Sequence, residues 1–180
     1  VNNGKSPYVF YLVLSKAFDC ISRTIIYKNL RAAGIPRNLV DIIADMHRKT
    51  VTCYRVGNSK SKNITTIQGV PQGDPLSPII FNLVINPMLD ELDGKGHCFK
   101  LLEDNKETEA LFMYADDFLC ICDTEKKMQD AINICENCIN YFNLRANVKK
   151  SAVMRFWHKS VPEKDRKAFM NKKEFEWGTN

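Results

Sequence analysis

Two apolar runs, Ala110–Met113 and Phe118–Cys122, flank the string Tyr114-Ala115-Asp116-Asp117. Short apolar runs on either side of a polar corner read as buried strands joined by a turn. Two adjacent carboxylates therefore sit at the end of a core. Carboxylates in apolar surroundings are costly unless a cation or hydrogen bonds compensate them. Hard divalent cations such as Mg²⁺ take oxygen ligands, often one or two carboxylates together with substrate phosphates. A carboxylate pair on such a corner suits a phosphoryl-transfer metal site. Alone, the same pair is also ordinary turn chemistry, since Asp tolerates turn conformations. Its meaning depends on the rest of the chain.

The 180 residues are enough for one domain with a real core, and 44% hydrophobic with 26% charged residues is an ordinary globular balance. No apolar run is long enough to span a bilayer, and the start has no basic segment leading into a long apolar one, so neither a membrane span nor a signal peptide is expected. Seven cysteines at irregular spacing, with Cys135 and Cys138 as a lone CxxC, do not make a zinc framework. They read as buried, reduced thiols, which favours an intracellular protein. The net charge of +5 is uneven: from Arg145 onward ten Lys/Arg face four Asp/Glu, with Phe156, Trp157, Phe169, Phe175 and Trp177 interleaved. A basic end with aromatics suits a nucleic-acid backbone.

Val9–Leu14 reads as a buried strand. Ser22 is placed to cap a helix bearing Ile25, Ile26 and Leu30, which Gly34 and Pro36 end. A second helix, about Asn38 to Arg48, carries Leu39, Ile42, Ile43 and Met46 on one side. Val51–Val56 and Ile64–Ile67 read as strands joined by the polar 57–63 loop. The Gly/Pro-rich segment Gln68–Pro75 leads into a helix with apolar positions from Leu76 to Leu92, where Pro87 should introduce a kink. Strands follow near Cys98–Leu102 and across Ala110–Cys122. A helix from Glu125 to Phe142, capped by Thr124, turns Met128, Ala131, Ile134, Cys135, Cys138, Ile139 and Phe142 inward. Ala152–Phe156 is a last strand, and Phe169–Trp177 a final hairpin. Strands mixed with helices, without strict βαβ alternation, favour α+β over a doubly wound sheet.

Four segments now fall in order: Leu12-Val-Leu-Ser-Lys-Ala-Phe-Asp19, Gln68-Gly-Val-Pro-Gln-Gly-Asp-Pro-Leu-Ser-Pro78, Tyr114-Ala-Asp-Asp117 and Leu144-Arg-Ala-Asn-Val-Lys-Lys-Ser151. Together they resemble the reverse transcriptase palm of non-LTR (LINE-like) retrotransposons, over nearly the whole chain. Group II intron enzymes share part of the pattern. The resemblance implies a polymerase palm, a ferredoxin/RRM-like antiparallel sheet backed by helices, with part of the fingers; most of the fingers and the thumb are expected to be missing from this single domain. It implies RNA-directed DNA polymerisation with an RNA template, a DNA primer and deoxynucleoside triphosphates, using Mg²⁺ or Mn²⁺, in the nucleus or cytoplasm. Residue by residue, it makes Asp116 a metal ligand and Asp117 a weaker or orienting one. Tyr114 lies near the primer end, and Phe18 matches the gate that excludes a ribose 2′-OH. Gln72 and Gly73 lie near the incoming nucleotide. Gln68, Gly69, Pro71 and Ser77 belong to the stretch that grips the template and primer. Lys149 or Lys150 matches the lysine beside the departing pyrophosphate.

One departure stands out. The family places an aspartate where this chain has Val13. Two-metal phosphoryl transfer holds two ions roughly 3.5–4 Å apart, and valine offers them no lone pair. Asp19 is no substitute, because six residues of extended strand span roughly 20 Å; it matches a helix-start or hydrogen-bonding position. The fold should survive, since Val favours strands, whereas polymerisation should be severely impaired. The competing expectation is a non-catalytic nucleic-acid-binding or scaffold domain derived from such an enzyme.

Overall fold

The computed structural model describes residues 7–93, 95–103, 106–155, 169–170 and 173–174. The chain divides into two compact units, one formed by residues 1–15 with 86–180 and the other by residues 16–85. The elements in order are β1 (Tyr8–Val13), α1 (Ala17–Cys20), α2 (Arg23–Ala32), α3 (Arg37–Arg48), β2 (Val51–Thr52), β3 (Arg55–Val56), β4 (Ser59–Lys60) and β5 (Ile64–Thr65). They continue with α4 (Leu76–Asp93), β6 (Lys100–Glu103), β7 (Lys106–Glu109), β8 (Leu111–Tyr114), β9 (Asp117–Cys122), α5 (Glu125–Tyr141), β10 (Ala152–Arg155), β11 (Phe169–Met170) and β12 (Lys173–Glu174).

The first unit is built on a sheet of order β10-β1-β9-β8, with every neighbouring pair antiparallel. Counted in chain order, its strands lie 4-1-3-2, the ferredoxin-like arrangement expected for an α+β palm. Side chains alternate along a strand, and the register makes use of this. Tyr8, Phe10 and Leu12 pair with Cys122, Cys120 and Phe118, and all six are buried. Val9, Tyr11 and Val13 pair with Ile121, Leu119 and Asp117 on the opposite, half-open face. Helix α5 packs on β1 and β9 and buries Met128, Ala131, Ile132, Cys135 and Ile139. Each large apolar side chain so buried contributes about 1.5–3 kcal/mol. Thr124 caps α5 as expected, its Oγ1 accepting from the Lys127 N–H at 3.2 Å. The helix ends on Asn143 (φ 57°), with the Leu144 N–H donating to Ile139 O and the Asn143 N–H to Asn140 O. This is a Schellman stop, and it sends Leu144–Ser151 back along β1.

The second unit buries Ala17, Ile21, Ile26, Leu30, Val40, Val70, Ile80, Phe81, Val84 and Ile85. Gly34 (φ 83°) closes α2 with a similar motif, the Ile35 N–H donating to Leu30 O. Ser22 occupies the cap position of α2 in extended geometry, but its side chain makes no capping bond. On α3 the apolar side read from the sequence is largely exposed: Leu39, Ile42 and Met46 are outward, while Val40 and His47 are buried. The two strands expected over 51–67 resolve into the short pair β2–β5 enclosing the hairpin β3–β4. Helix α4 runs through Pro87 without interruption. All seven cysteines are free thiols, four of them buried. Of the final hairpin, β11 pairs with β12; Phe156, Trp157, Phe175 and Trp177 lie outside the described residues.

Candidate functional site

Strands β8 and β9 are joined by a two-residue turn, Ala115-Asp116, because Tyr114 pairs directly with Asp117. Ala115 has φ 54°, while Asp116 is not in the positive-φ region. Positive φ at the first central residue alone is the type II′ pattern, which matches the twist of a hairpin but favours Gly at that place. The acidic corner is thus held in a conformation that costs an L-residue free energy. Asp116 and Asp117 are half-buried, and Tyr114 is 85% exposed.

Val13 is the last residue of β1 and pairs with Asp117. Residues directly opposite in an antiparallel pair share a face, with Cβ atoms about 4.5–5.5 Å apart. The departure found in the sequence therefore lies beside the acidic corner. The segment Leu144–Ser151 holds Val13 on both backbone sides. The Val13 N–H donates to Ser151 Oγ at 3.1 Å, the Asn147 N–H donates to Val13 O at 2.7 Å, and the Ser151 hydroxyl donates to Asn147 O at 2.9 Å. The Leu14 N–H donates to Asp116 O at 3.2 Å, joining the strand end to the turn. Lys149 and Lys150 are exposed on the turn between Asn147 and Ser151.

Tyr11 was not singled out by the sequence reading. It lies two residues before Val13 on the same face, diagonal to Asp117 across the β1–β9 pair. Burial, then its interaction with Asp117 and the charges of Asp117 and Asp116, push its pKa above the ordinary value. The available signal was the period of two along Val9, Tyr11 and Val13.

A pair of divalent cations would need hard oxygen donors on both sides of the acidic corner. Asp116 and Asp117 supply hard oxygen, but position 13 supplies hydrocarbon. Among the described residues no group of three or more His, Cys, Asp or Glu is placed to hold a metal. The residues present do not fit a two-cation centre.

In the second unit, Phe18 stacks on Phe81 with ring centroids 4.7 Å apart and planes at 18°. Gln72 is exposed, and its Nε2 donates to Asp19 Oδ1 at 2.8 Å. Asp19, in α1, is thus a hydrogen-bonding residue, as its motif position implies. Gly69 has φ 75°, and a Cβ there would meet the backbone oxygens of Phe18 and Asp19 at 2.6 Å. Its N–H donates to Ile21 O at 2.9 Å, and the Val70 N–H to Phe18 O at 2.8 Å. Gly69 is buried and Gln68 exposed, while Pro71 is half-buried and Gly73 (φ 87°) is exposed. Ser77 is 2% exposed, and its Oγ has no hydrogen-bond partner among the described residues. Arg23, which no sequence pattern marks, is a half-buried side chain whose guanidinium reaches three backbone carbonyls. Only folding brings those carbonyls to it, so no local pattern announces them.

A four-stranded antiparallel sheet backed by a helix, with an acidic turn at one end, defines an α+β protein of the polymerase-palm kind. Solved structures agree on the fold. The apo telomerase of Candida tropicalis truncated from its C-terminal domain matches with a TM-score of 0.62 at 18% identity, over 87% of this chain and 32% of that one. Telomerase from Candida tropicalis in complex with a TWJ fragment of telomeric RNA matches with a TM-score of 0.64 at 16% identity, over 87% of this chain and 27% of that one. The chain belongs to the reverse transcriptase (RNA-dependent DNA polymerase) family, whose model matches residues 1–177. Within that family it is a domain of the non-LTR kind. It is 32% identical over 146 residues to the Pol polyprotein of the type-2 retrotransposable element R2DM of Drosophila melanogaster, covering 81% of this chain and 13% of that protein. It is 32% identical over 142 residues to the Pol polyprotein of an R2 element of Popillia japonica, covering 79% of this chain and 23% of that protein. The chain thus spans less than a quarter of the length of these relatives.

Proposed function

We propose that this domain derives from an RNA-directed DNA polymerase that transfers deoxynucleotides to a primer 3′-OH, and that the present copy is severely impaired in that reaction. The observation that carries the reading is the pairing of Val13 with Asp117. The strand position facing the acidic turn, where the family has an aspartate, holds an isopropyl group. A divalent cation, Mg²⁺ or Mn²⁺, would supply Lewis-acid stabilisation of charge in such a reaction. Asp116 and Asp117 retain the capacity to attract one such cation. Tyr114, exposed beside them, is suited to contact the primer end. Lys149 offers an ammonium to a departing pyrophosphate. Phe18 is the gate against a 2′-OH, and Gln72 and Gly73 contact the incoming nucleotide. Gln68, Gly69 and Pro71 belong to the template grip, with Gly69 acting through the backbone it holds. Ser77 supports that grip from within the core.

Primer extension on an RNA template, with Mg²⁺ or Mn²⁺, tests this reading on the chain and on Val13→Asp. The unaltered chain should extend at least ~10³-fold more slowly than a complete site of this electrostatic type, and Val13→Asp should raise the rate. Efficient extension by the unaltered chain would overturn the proposed impairment. A second reading, a binding domain without catalysis, rests on the same valine. It requires primer–template binding that weakens steeply with salt, as phosphate contacts do, and no extension by either protein.

A further inference from the structure

We propose that Arg23 is a positioning residue for nucleotide selection, setting the backbone that carries Phe18 and Gln72; the inference rests on the polymerase reading above. Arg23 Nε donates to Gly69 O at 3.0 Å, and Nη1 donates to Thr66 O at 2.6 Å and to His47 O at 2.7 Å. One guanidinium thus holds both ends of the segment 66–69 and ties it to the last turn of α3. Charge-assisted donors in a rigid planar fork fix geometry in a way that a lysine ammonium does not.

The segment so fixed makes the next contacts with its own backbone. The Gly69 and Val70 N–H groups donate to Ile21 O and Phe18 O. These carbonyls belong to the single turn of α1 and its exit, a helix too short to order itself. The approach is close enough that a Cβ on Gly69 would collide with the Phe18 and Asp19 carbonyls. Two residues beyond Val70, Gln72 donates to Asp19 in the same turn. The order of dependence is therefore Arg23, then 66–70, then the Phe18–Ile21 turn and Gln72. Among the described residues, buried Nη2 has no hydrogen-bond partner, so the guanidinium is held by the bonds of Nε and Nη1 to those carbonyls. Losing their geometry should loosen this segment before it loosens the helices.

The test compares the full chain with Arg23→Lys, which keeps the charge and loses the fork. Amide hydrogen exchange should accelerate at least tenfold at Gly69 and Val70, and remain unchanged at Ile26 and Leu30 in α2. In the same two proteins, equilibrium binding of dATP and ATP to the Mg²⁺ and primer–template complex should show a severalfold smaller preference for dATP in Arg23→Lys. Exchange that is unaltered, or accelerated across all of α2, overturns the local role of Arg23. Local acceleration with an unchanged dATP-to-ATP ratio overturns its role in selection. A chain that binds neither nucleotide even before substitution sinks the polymerase reading and with it the role in selection, while the exchange pattern separately decides whether Arg23 holds the segment.

Discussion

Val13 and Asp117 face each other at the last rung of the β1–β9 pair, next to the turn that carries Asp116. An aspartate at position 13 would bring a third carboxylate to within a cation's reach of the other two. It would also place like charges together when no cation is present. Val13→Asp should therefore lower stability by on the order of 1 kcal/mol in a chelator, a half-exposed like-charge cost. Millimolar Mg²⁺ should restore it. Thermal melts of both proteins with and without Mg²⁺ check this. A variant whose melting temperature ignores Mg²⁺ would show that position 13 does not face a cation site.

The turn itself stores strain. Ala115 sits at φ 54°, a region that costs an L-residue about 1–2 kcal/mol. Ala115→Gly should raise the unfolding free energy by about 1 kcal/mol, net of the entropy glycine adds to the unfolded chain. Urea denaturation should show a higher midpoint with the same slope.

Gly69→Ala should have the opposite effect. The added methyl meets two backbone oxygens that cannot rotate away, at a positive φ. A loss of at least about 2 kcal/mol is expected, as for other substitutions at incompatible backbone positions. Gly73→Ala offers the control. Its φ is also positive, but a Cβ there meets nothing within 4 Å, so it should cost less than Gly69→Ala in the same denaturation assay.

His47 should give the protein a pH-dependent term. It is 4% exposed, stacks on Tyr27, and its Nδ1 lies 3.1 Å from the Tyr27 hydroxyl. Burial, then the charge of Arg23, hold its pKa below the ordinary 6.5, against an opposing pull from Asp74. The folded protein thus binds fewer protons here than the unfolded chain does. The contribution is fully present above 6.5 and is lost as the pH falls through the lower folded value. Stability measured from pH 7 to 5 should decline, and the decline should be shallower in His47→Gln.

Thiol reactivity should report the core. Cys98, Cys120, Cys122 and Cys135 are buried, whereas Cys20, Cys53 and Cys138 are half-buried. The Cys120 thiol is pushed far up by hydrogen bonds with Cys122 and Cys98 and by burial, and Cys135 is raised chiefly by burial. Thiolates are the reactive form. A disulfide reagent should modify no more than three thiols in the native protein and all seven in denaturant.

Much of the site was legible in the chain because its signals are local. Alternation along Tyr8–Val13 and Phe118–Cys122 marked strands, and Thr124 marked a helix start. Tyr114–Asp117 marked an acidic turn. Each of these follows from side-chain chemistry within a few residues, whereas the aspartate expected in place of Val13 came only from the family resemblance. Tertiary structure decided what depends on partners distant in sequence. It placed Val13 opposite Asp117, gave Val13 its two hydrogen-bonded neighbours Ser151 and Asn147, and brought Tyr11 to Asp117. It also turned the expected apolar side of α3 outward, since amphipathic spacing gives a stripe but not the surface that covers it. Arg23 could not be read at all, because its three acceptors are backbone carbonyls. Every residue has a carbonyl, and only the folded path of the chain determines which of them meet one guanidinium.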